Sequence, residues 1–258
     1  MTKQPANISA AAAMRRDVVK TGSNKDSALP MYSKERLIIF DADGTIIDAF
    51  SAIEQTFSSH GMEIGDLERF QKRHKLFKYL GGLKEFPFNI KKQLGKQSRK
   101  QILATLTEVY REEVRMYPGV ADLMRILIAE PGIRVGLVTR NVSNEPEVTI
   151  GKLLMRHDID IASLDFMAHV PLGKDKAAYF KIARKRFDVN PARSFACGDE
   201  HKDFQAAIAS GMHPFIVSYG FEDHKRLTKK FDVPEEVISR TPAQFCARVR
   251  HALDLPEE

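Results

Sequence analysis

The stretch from Arg36 to Asp48, Arg-Leu-Ile-Ile-Phe-Asp-Ala-Asp-Gly-Thr-Ile-Ile-Asp, constrains the fold of this chain more than any other. Leu37 to Phe40 is an unbroken apolar run with β-branched residues, the pattern of a short strand buried on both faces. It stops at two acids spaced i, i+2, Asp41 and Asp43, followed by Gly44 and Thr45. A strand that ends in carboxylates sets them at the carboxyl edge of its sheet, where open α/β sheets bind ligands. Two acids this close repel each other unless a cation lies between them, and a hard, oxygen-seeking ion such as Mg2+ is the natural partner. Gly44 permits a sharp turn and a close approach of ligand to backbone. Taken alone, Asp-x-Asp-Gly is equally an acidic turn after a buried strand.

The remaining chain supplies the sheet. Val120, Leu123, Met124, Leu127 and Ile128 form a helical stripe. Val135 to Val138 is a short apolar strand that ends at Thr139, and a helix with Pro146 near its start follows. Lys174 to Phe187 reads as a helix, Ser194 to Cys197 as a strand ending in Gly198-Asp199, and Asp203 to Ser210 as a helix stopped by Gly211. Phe215 to Val217 is another strand, and Thr241-Pro242-Ala243-Gln244 is a capping box that opens a last helix. Strands alternating with helices imply βαβ units and a parallel sheet. Residues 49–117 break that alternation directly after the acidic turn. There Ser98 to Gln101 is a capping box, Ile102, Leu103, Leu106, Val109 and Tyr110 recur at helix spacing, and Gly81-Gly82 marks a loop. The expected layout is a flexible tail over 1–35, a Rossmann-like α/β core from 36–48 and 118–258, and an inserted helical cap over 49–117.

In a parallel sheet the polar strand ends converge on one edge. They are Asp41-Ala42-Asp43, Thr139-Arg140-Asn141 and Gly198-Asp199-Glu200, with Lys174 at a helix start between the last two. Carboxylates, a hydroxyl and an ammonium meeting there suit a metal-bound phosphoryl group. Asp41-Ala42-Asp43-Gly44-Thr45 resembles the first motif of the haloacid dehalogenase superfamily. Gly136 to Asn141 is similar to its second motif, Gly173-Lys174 to its third, and Cys197 to Ala207 with Gly211-Met212 to its fourth. Tyr117-Pro118-Gly119-Val120 resembles the exit from a helical cap in the phosphoglycolate phosphatase-like branch. Ala42 and Glu200 depart from that pattern, and no proline follows the motif lysine. Two lysines, Lys174 and Lys176, stand at the third motif, and the interval to Asp199 favours Lys174.

The resemblance implies a Mg2+-dependent phosphatase. Asp41 would be the nucleophile that forms an aspartyl-phosphate, and Asp43 the acid that protonates the leaving oxygen and then activates water. Asp41, Asp199 and the backbone carbonyl of Asp43 would hold Mg2+. Thr139 and Lys174 would bind phosphoryl oxygens, with Arg140 and Asn141 beside them as substrate contacts. Asp203 is either a support for the metal ligands or an exposed helix acid, Asp48 a helix start, and His60, His169 and His201 lack ligand-like partners at useful spacing.

The chain has 258 residues, enough for one large domain or a core with an inserted module, and 43% hydrophobic and 29% charged residues are ordinary for a soluble globular protein. No run of apolar residues is long enough to span a membrane. Cys197 and Cys246 are the only cysteines, which suits free thiols in a reducing cytoplasm. The net charge is +6, and the window Arg69 to Lys100 alone holds eleven basic residues against Glu85, a net of +10. Over an active-site mouth, such charge, Lys78 and Lys84 above all, would select small phosphorylated substrates with a second anionic group. A phosphomutase of the β-phosphoglucomutase type would share every motif residue. A nucleic-acid-binding module would use the basic excess but has no need of the catalytic set. Oligomeric state is not legible.

Overall fold

The computed structural model describes residues 32–63, 65–68, 71, 99–171 and 173–256. Gly81-Gly82, Lys78, Lys84 and Ser98 lie outside the described residues. The apolar run after Glu35 forms β1 (Arg36–Phe40), in which Leu37 to Phe40 are fully buried. Around it, in chain order, stand α1 (Ala49–Ser59), α2 (Arg99–Glu112), α3 (Val120–Ala129), β2 (Ile133–Thr139), α4 (Pro146–Met155), β3 (Phe166–His169), α5 (Ala177–Arg186), β4 (Ser194–Gly198), α6 (His201–Ser210), β5 (His213–Val217), α7 (His224–Phe231), β6 (Ile238–Ser239) and α8 (Pro242–Ala252).

The six strands make one parallel sheet in the order β3-β2-β1-β4-β5-β6. Strand order therefore reverses between β1 and β4, and such a reversal opens a crevice at the carboxyl ends. Ile38 pairs with Val135 on one side and with Phe195 on the other. This register brings the ends of β1, β2 and β4 level, so their terminal polar residues meet. The fold is the Rossmann-like α/β class expected from the alternation.

Side chains of β1 alternate between two cores, as the period of a strand requires. Leu37 and Ile39 pack with Phe180, Ala183 and Ala207 of α5 and α6. Ile38 and Phe40 face Leu123 and Leu127 of α3 and Phe245 and Val249 of α8. Each fully buried Leu, Ile, Val or Phe side chain among them contributes roughly 1.5–3 kcal/mol. Ile53 and Phe57 of α1 and Ile102, Leu106 and Tyr110 of α2 belong to that second core. Helices α1 and α2 are thus joined to the sheet by one continuous apolar mass. Their connections run side by side: Ile47 bridges Met116 in antiparallel fashion, and Tyr117 N donates to Ile46 O at 3.0 Å.

Three elements were not foreseen. β3 is short and only partly buried, β6 has two residues, and α7 (His-Lys-Arg-Leu-Thr-Lys-Lys-Phe) buries Leu227 alone, so none carries a periodic apolar signal. The helix expected from Lys174 begins instead at Ala177, because the Asp175 carboxylate accepts the Ala177 amide at 2.9 Å and turns the chain first. Among the described residues no helix is long and apolar enough to cross a membrane.

Candidate active site

The end of β1 is extended by one more ladder bond, Asp41 N to Cys197 O at 2.9 Å, which fixes Asp41 in the crevice between β1 and β4. Its Oδ2 lies 2.7 Å from Lys176 Nζ, and its Oδ1 accepts the Ala42 amide at 2.8 Å. Lys176 Nζ is also 2.7 Å from Asp203 Oδ1. Lys176 is only 2% exposed, and an ammonium is buried that deeply only when carboxylates compensate it. Burial alone would lower its pKa, but the charges of Asp203 and Asp41 outweigh that and hold it above the ordinary lysine value. Burial pushes Asp41 up to about 7, against the opposing pull of Lys176.

The ammonium beside the acids is therefore that of Lys176, and the assignment of Lys174 is corrected. Lys174 is exposed, in the loop ahead of α5, and its carbonyl accepts from Arg140 Nη2 at 3.0 Å. The cause is the turn at Asp175, which starts the helix late and leaves Lys176 to cap it facing inward.

Asp199 follows β4 and is fully buried. Its Oδ2 accepts the Phe221 amide at 2.6 Å, while Oδ1 is buried without a hydrogen-bond partner among the described residues. Burial raises its pKa well above the carboxylate range, and the charges of Asp41, Glu200 and Asp203 add to that rise. Gly44 (φ +79°) and Gly220 close around it, and a Cβ on either would collide with the Asp199 carboxylate. Asp41, Asp199 and Asp203 each present an oxygen within 4.8 Å of the others. Asp203 is committed elsewhere, to Lys176 and to the Glu200 amide at 3.1 Å, where it closes the capping box of α6. A carboxylate oxygen with no partner next to a second carboxylate fits a divalent cation, which relieves both the desolvation and the repulsion.

Asp43 has neutral company. Tyr110 Oη donates to its Oδ1 at 2.8 Å, and Asn141 Nδ2 lies 3.1 and 3.0 Å from Oδ1 and Oδ2. Burial raises the Asp43 pKa, and those two donors pull it partly back. The Asn141 amide is thus engaged with the acid rather than turned to a substrate. Its Oδ1 accepts the Ser143 amide at 3.0 Å, and its carbonyl is 3.0 Å from His169 Nε2. Thr139, fully buried at the end of β2, accepts the Asn141 amide at 3.1 Å and keeps its hydroxyl proton for another acceptor. Arg140 is half-buried and bonded to the Lys174 carbonyl.

Asp48 caps α1, accepting the Ser51 amide at 3.1 Å. His60 meets Thr105, and His201 is held by Glu222 and stacks on Phe231. Besides Lys176, Tyr110 is the addition to the expected set, and Asp203, left open between a support for the metal ligands and an exposed helix acid, is buried in the site. Asp203 had a signal, since it stands four residues after Asp199 and so one turn into the following helix. Tyr110 had none beyond its place in an apolar stripe, because its partner is 67 residues away.

The model of the haloacid dehalogenase-like hydrolase family matches residues 35–211. Phosphoglycolate phosphatase 1 of Pseudomonas aeruginosa is 24% identical over 242 residues, covering 86% of this chain and 84% of its own length. The phosphoglycolate phosphatase of Pseudomonas putida is 28% identical over 208 residues, covering 72% of this chain and 70% of its own. The solved structure of a putative β-phosphoglucomutase from Thermotoga maritima superposes with a TM-score of 0.56 at 19% identity, covering 84% of this chain and 99% of that one. With its strand ends, buried acids and family match together, the chain belongs to the haloacid dehalogenase-like hydrolase family.

Proposed function

We propose that the protein is a Mg2+-dependent phosphatase of a small phosphorylated metabolite, working through an aspartyl-phosphate. The observation that carries the reading is the Asp41–Lys176 pair beside Asp199, whose Oδ1 is buried without a partner among the described residues. Asp41 attacks the phosphorus, the bond to the ester oxygen breaks, and the departing oxygen takes a proton from Asp43. A water then gives a proton to Asp43 and attacks the phosphorus, releasing inorganic phosphate and restoring Asp41. Lys176 orients Asp41 and supplies positive charge beside the transferring group, and Thr139 offers its hydroxyl to a phosphoryl oxygen. Asp41 and Asp199, with the backbone carbonyl of Asp43, would hold the ion. Bound there, Mg2+ supplies charge that offsets the repulsion between carboxylate and phosphate.

The names of the curated relatives point to phosphoglycolate as the first substrate to try, and its carboxylate agrees with the basic excess of residues 69–100. The test is release of inorganic phosphate from phosphoglycolate and from a generic aryl phosphate, with and without Mg2+. Activity that requires the ion and disappears in Asp41→Asn supports the reading, and undiminished activity in that variant overturns it. Conversion of a sugar phosphate into its isomer, with little free phosphate, would make the enzyme a mutase instead.

A further inference from the structure

We propose that Tyr110, carried by the inserted helix α2, is a positioning residue for the acid Asp43; this rests on the phosphatase reading above and adds a residue to it. Tyr110 is 2% exposed, and its hydroxyl reaches Asp43 Oδ1 at 2.8 Å. A phenol hydroxyl at that distance from a carboxylate oxygen acts on it as a donor. Asn141 holds the carboxylate through one amide nitrogen, 3.1 and 3.0 Å from its two oxygens. A single nitrogen shared between two oxygens fixes distance but leaves the carboxyl plane free to rock about it. The Tyr110 hydroxyl, coming from another element, supplies the second point that fixes the plane. Catalytic protons must be delivered along a defined line, and a displacement of about 1 Å can cost ~100-fold.

The helix is built to hold that point. Arg156 donates to the Glu112 carbonyl at 2.5 Å, to the Tyr110 carbonyl at 3.2 Å and to the Val114 carbonyl, so it grips the end of α2 where Tyr110 lies. Thr107 Oγ1, one turn earlier, accepts the Asn144 amide at 2.9 Å, and Arg111 reaches Thr149 at 3.2 Å and Glu145 at 3.2 Å. The loop that bears Asn141 is thereby docked on the helix that bears Tyr110. Both donors to Asp43 move as one unit, and the insertion contributes directly to proton delivery.

The test uses two esters. An alkyl phosphate needs its leaving oxygen protonated, and a dinitrophenyl phosphate does not. In Tyr110→Phe, which keeps the buried ring, kcat for the alkyl ester should fall ~10- to 30-fold with KM within ~2-fold, while the dinitrophenyl ester should lose less than ~3-fold. Ile102→Val removes one methylene from the same helix and should leave the ratio of the two rates at its wild-type value. Equal losses on both esters in Tyr110→Phe, or a change in KM alone, or the same ratio change in Ile102→Val, would overturn the role of Tyr110. Those outcomes leave the phosphatase reading intact, because that reading stands or falls on Asp41→Asn with either ester.

Discussion

Asp41 and Asp43 are two residues apart, on one turn, and both are buried; their surroundings could hardly differ more. Around Asp41 the groups are ionic: Lys176, Asp203 and Asp199. The groups that hydrogen-bond Asp43 are neutral, a phenol and a carboxamide, although the Lys176 charge also lowers its pKa. Ionic neighbours suit a carboxylate that must be charged, oriented and ready to attack. Neutral donors suit a carboxyl group that must change its protonation twice in a cycle without disturbing a charge network. In the proposed mechanism, two like groups are thus given two roles by environment.

Breaking the ionic side should have the largest effect. Asp41→Asn removes the proposed nucleophile, and turnover of any ester should fall by ~10^4-fold or more, whatever the leaving group. Asp43→Asn should be selective, with losses of ~10^2- to 10^4-fold for alkyl esters and much smaller ones for activated aryl esters, since only the former need the proton. Parallel rate measurements on the two ester classes check both. An Asp43→Asn enzyme that loses both esters equally would show that the neutral side is not a proton-transfer site.

How well each side could be read from sequence follows from the same contrast. The strand ends carrying Asp41, Thr139 and Asp199 were legible because an apolar run that stops at a polar residue is a local signal. The ammonium was not, since Lys174 and Lys176 differ only by a turn that the Asp175 side chain sets. The neutral side was still less legible. Tyr110 has the spacing of a core residue and is one, apart from a single hydroxyl whose partner lies across the molecule. β3 escaped because four residues are too few to show a period, and α7 for want of apolar residues to give one.

The choice of lysine gives the next effect. Lys176→Met leaves Asp41 and Asp203 buried without their common cation and should destabilise the fold by about 3–5 kcal/mol. Lys174→Ala, at an exposed site, should stay within about 0.5 kcal/mol. Denaturant melts of the two variants decide it, and equal stabilities would return the assignment to Lys174.

The smallest effect is the pH dependence of stability without added metal. Asp41 has a folded pKa of about 7 against an ordinary value of 3.8, so between those values the folded state binds more protons than the unfolded one. Stability contributed at this site is then present at low pH and is lost as pH rises from about 4 to about 7, because unfolding releases the carboxyl group to ionise in water. Asp43 and Asp199 are raised as well and act in the same sense. His157 opposes them: burial lowers its pKa, so its contribution falls away in acid below the ordinary histidine value of 6.5. The wild-type curve mixes these slopes, and the informative quantity is the stability of Asp41→Asn minus that of wild type. Asparagine cannot ionise, and Lys176 keeps Asp203 as a partner in the variant. The difference should therefore grow in favour of the variant between pH 5 and pH 8, by on the order of 2 kcal/mol. Saturating Mg2+ should shrink it, since an ion held by the wild-type carboxylates adds stability that the variant lacks, about 2.7 kcal/mol at 100 times its Kd. Urea melts across that pH range, with chelator and then with Mg2+, would measure both. A difference that stays flat with pH, or that Mg2+ leaves unchanged, would mean that Asp41 is ionised and satisfied by Lys176 alone, and the contrast between the two acids would then lie in geometry rather than in charge.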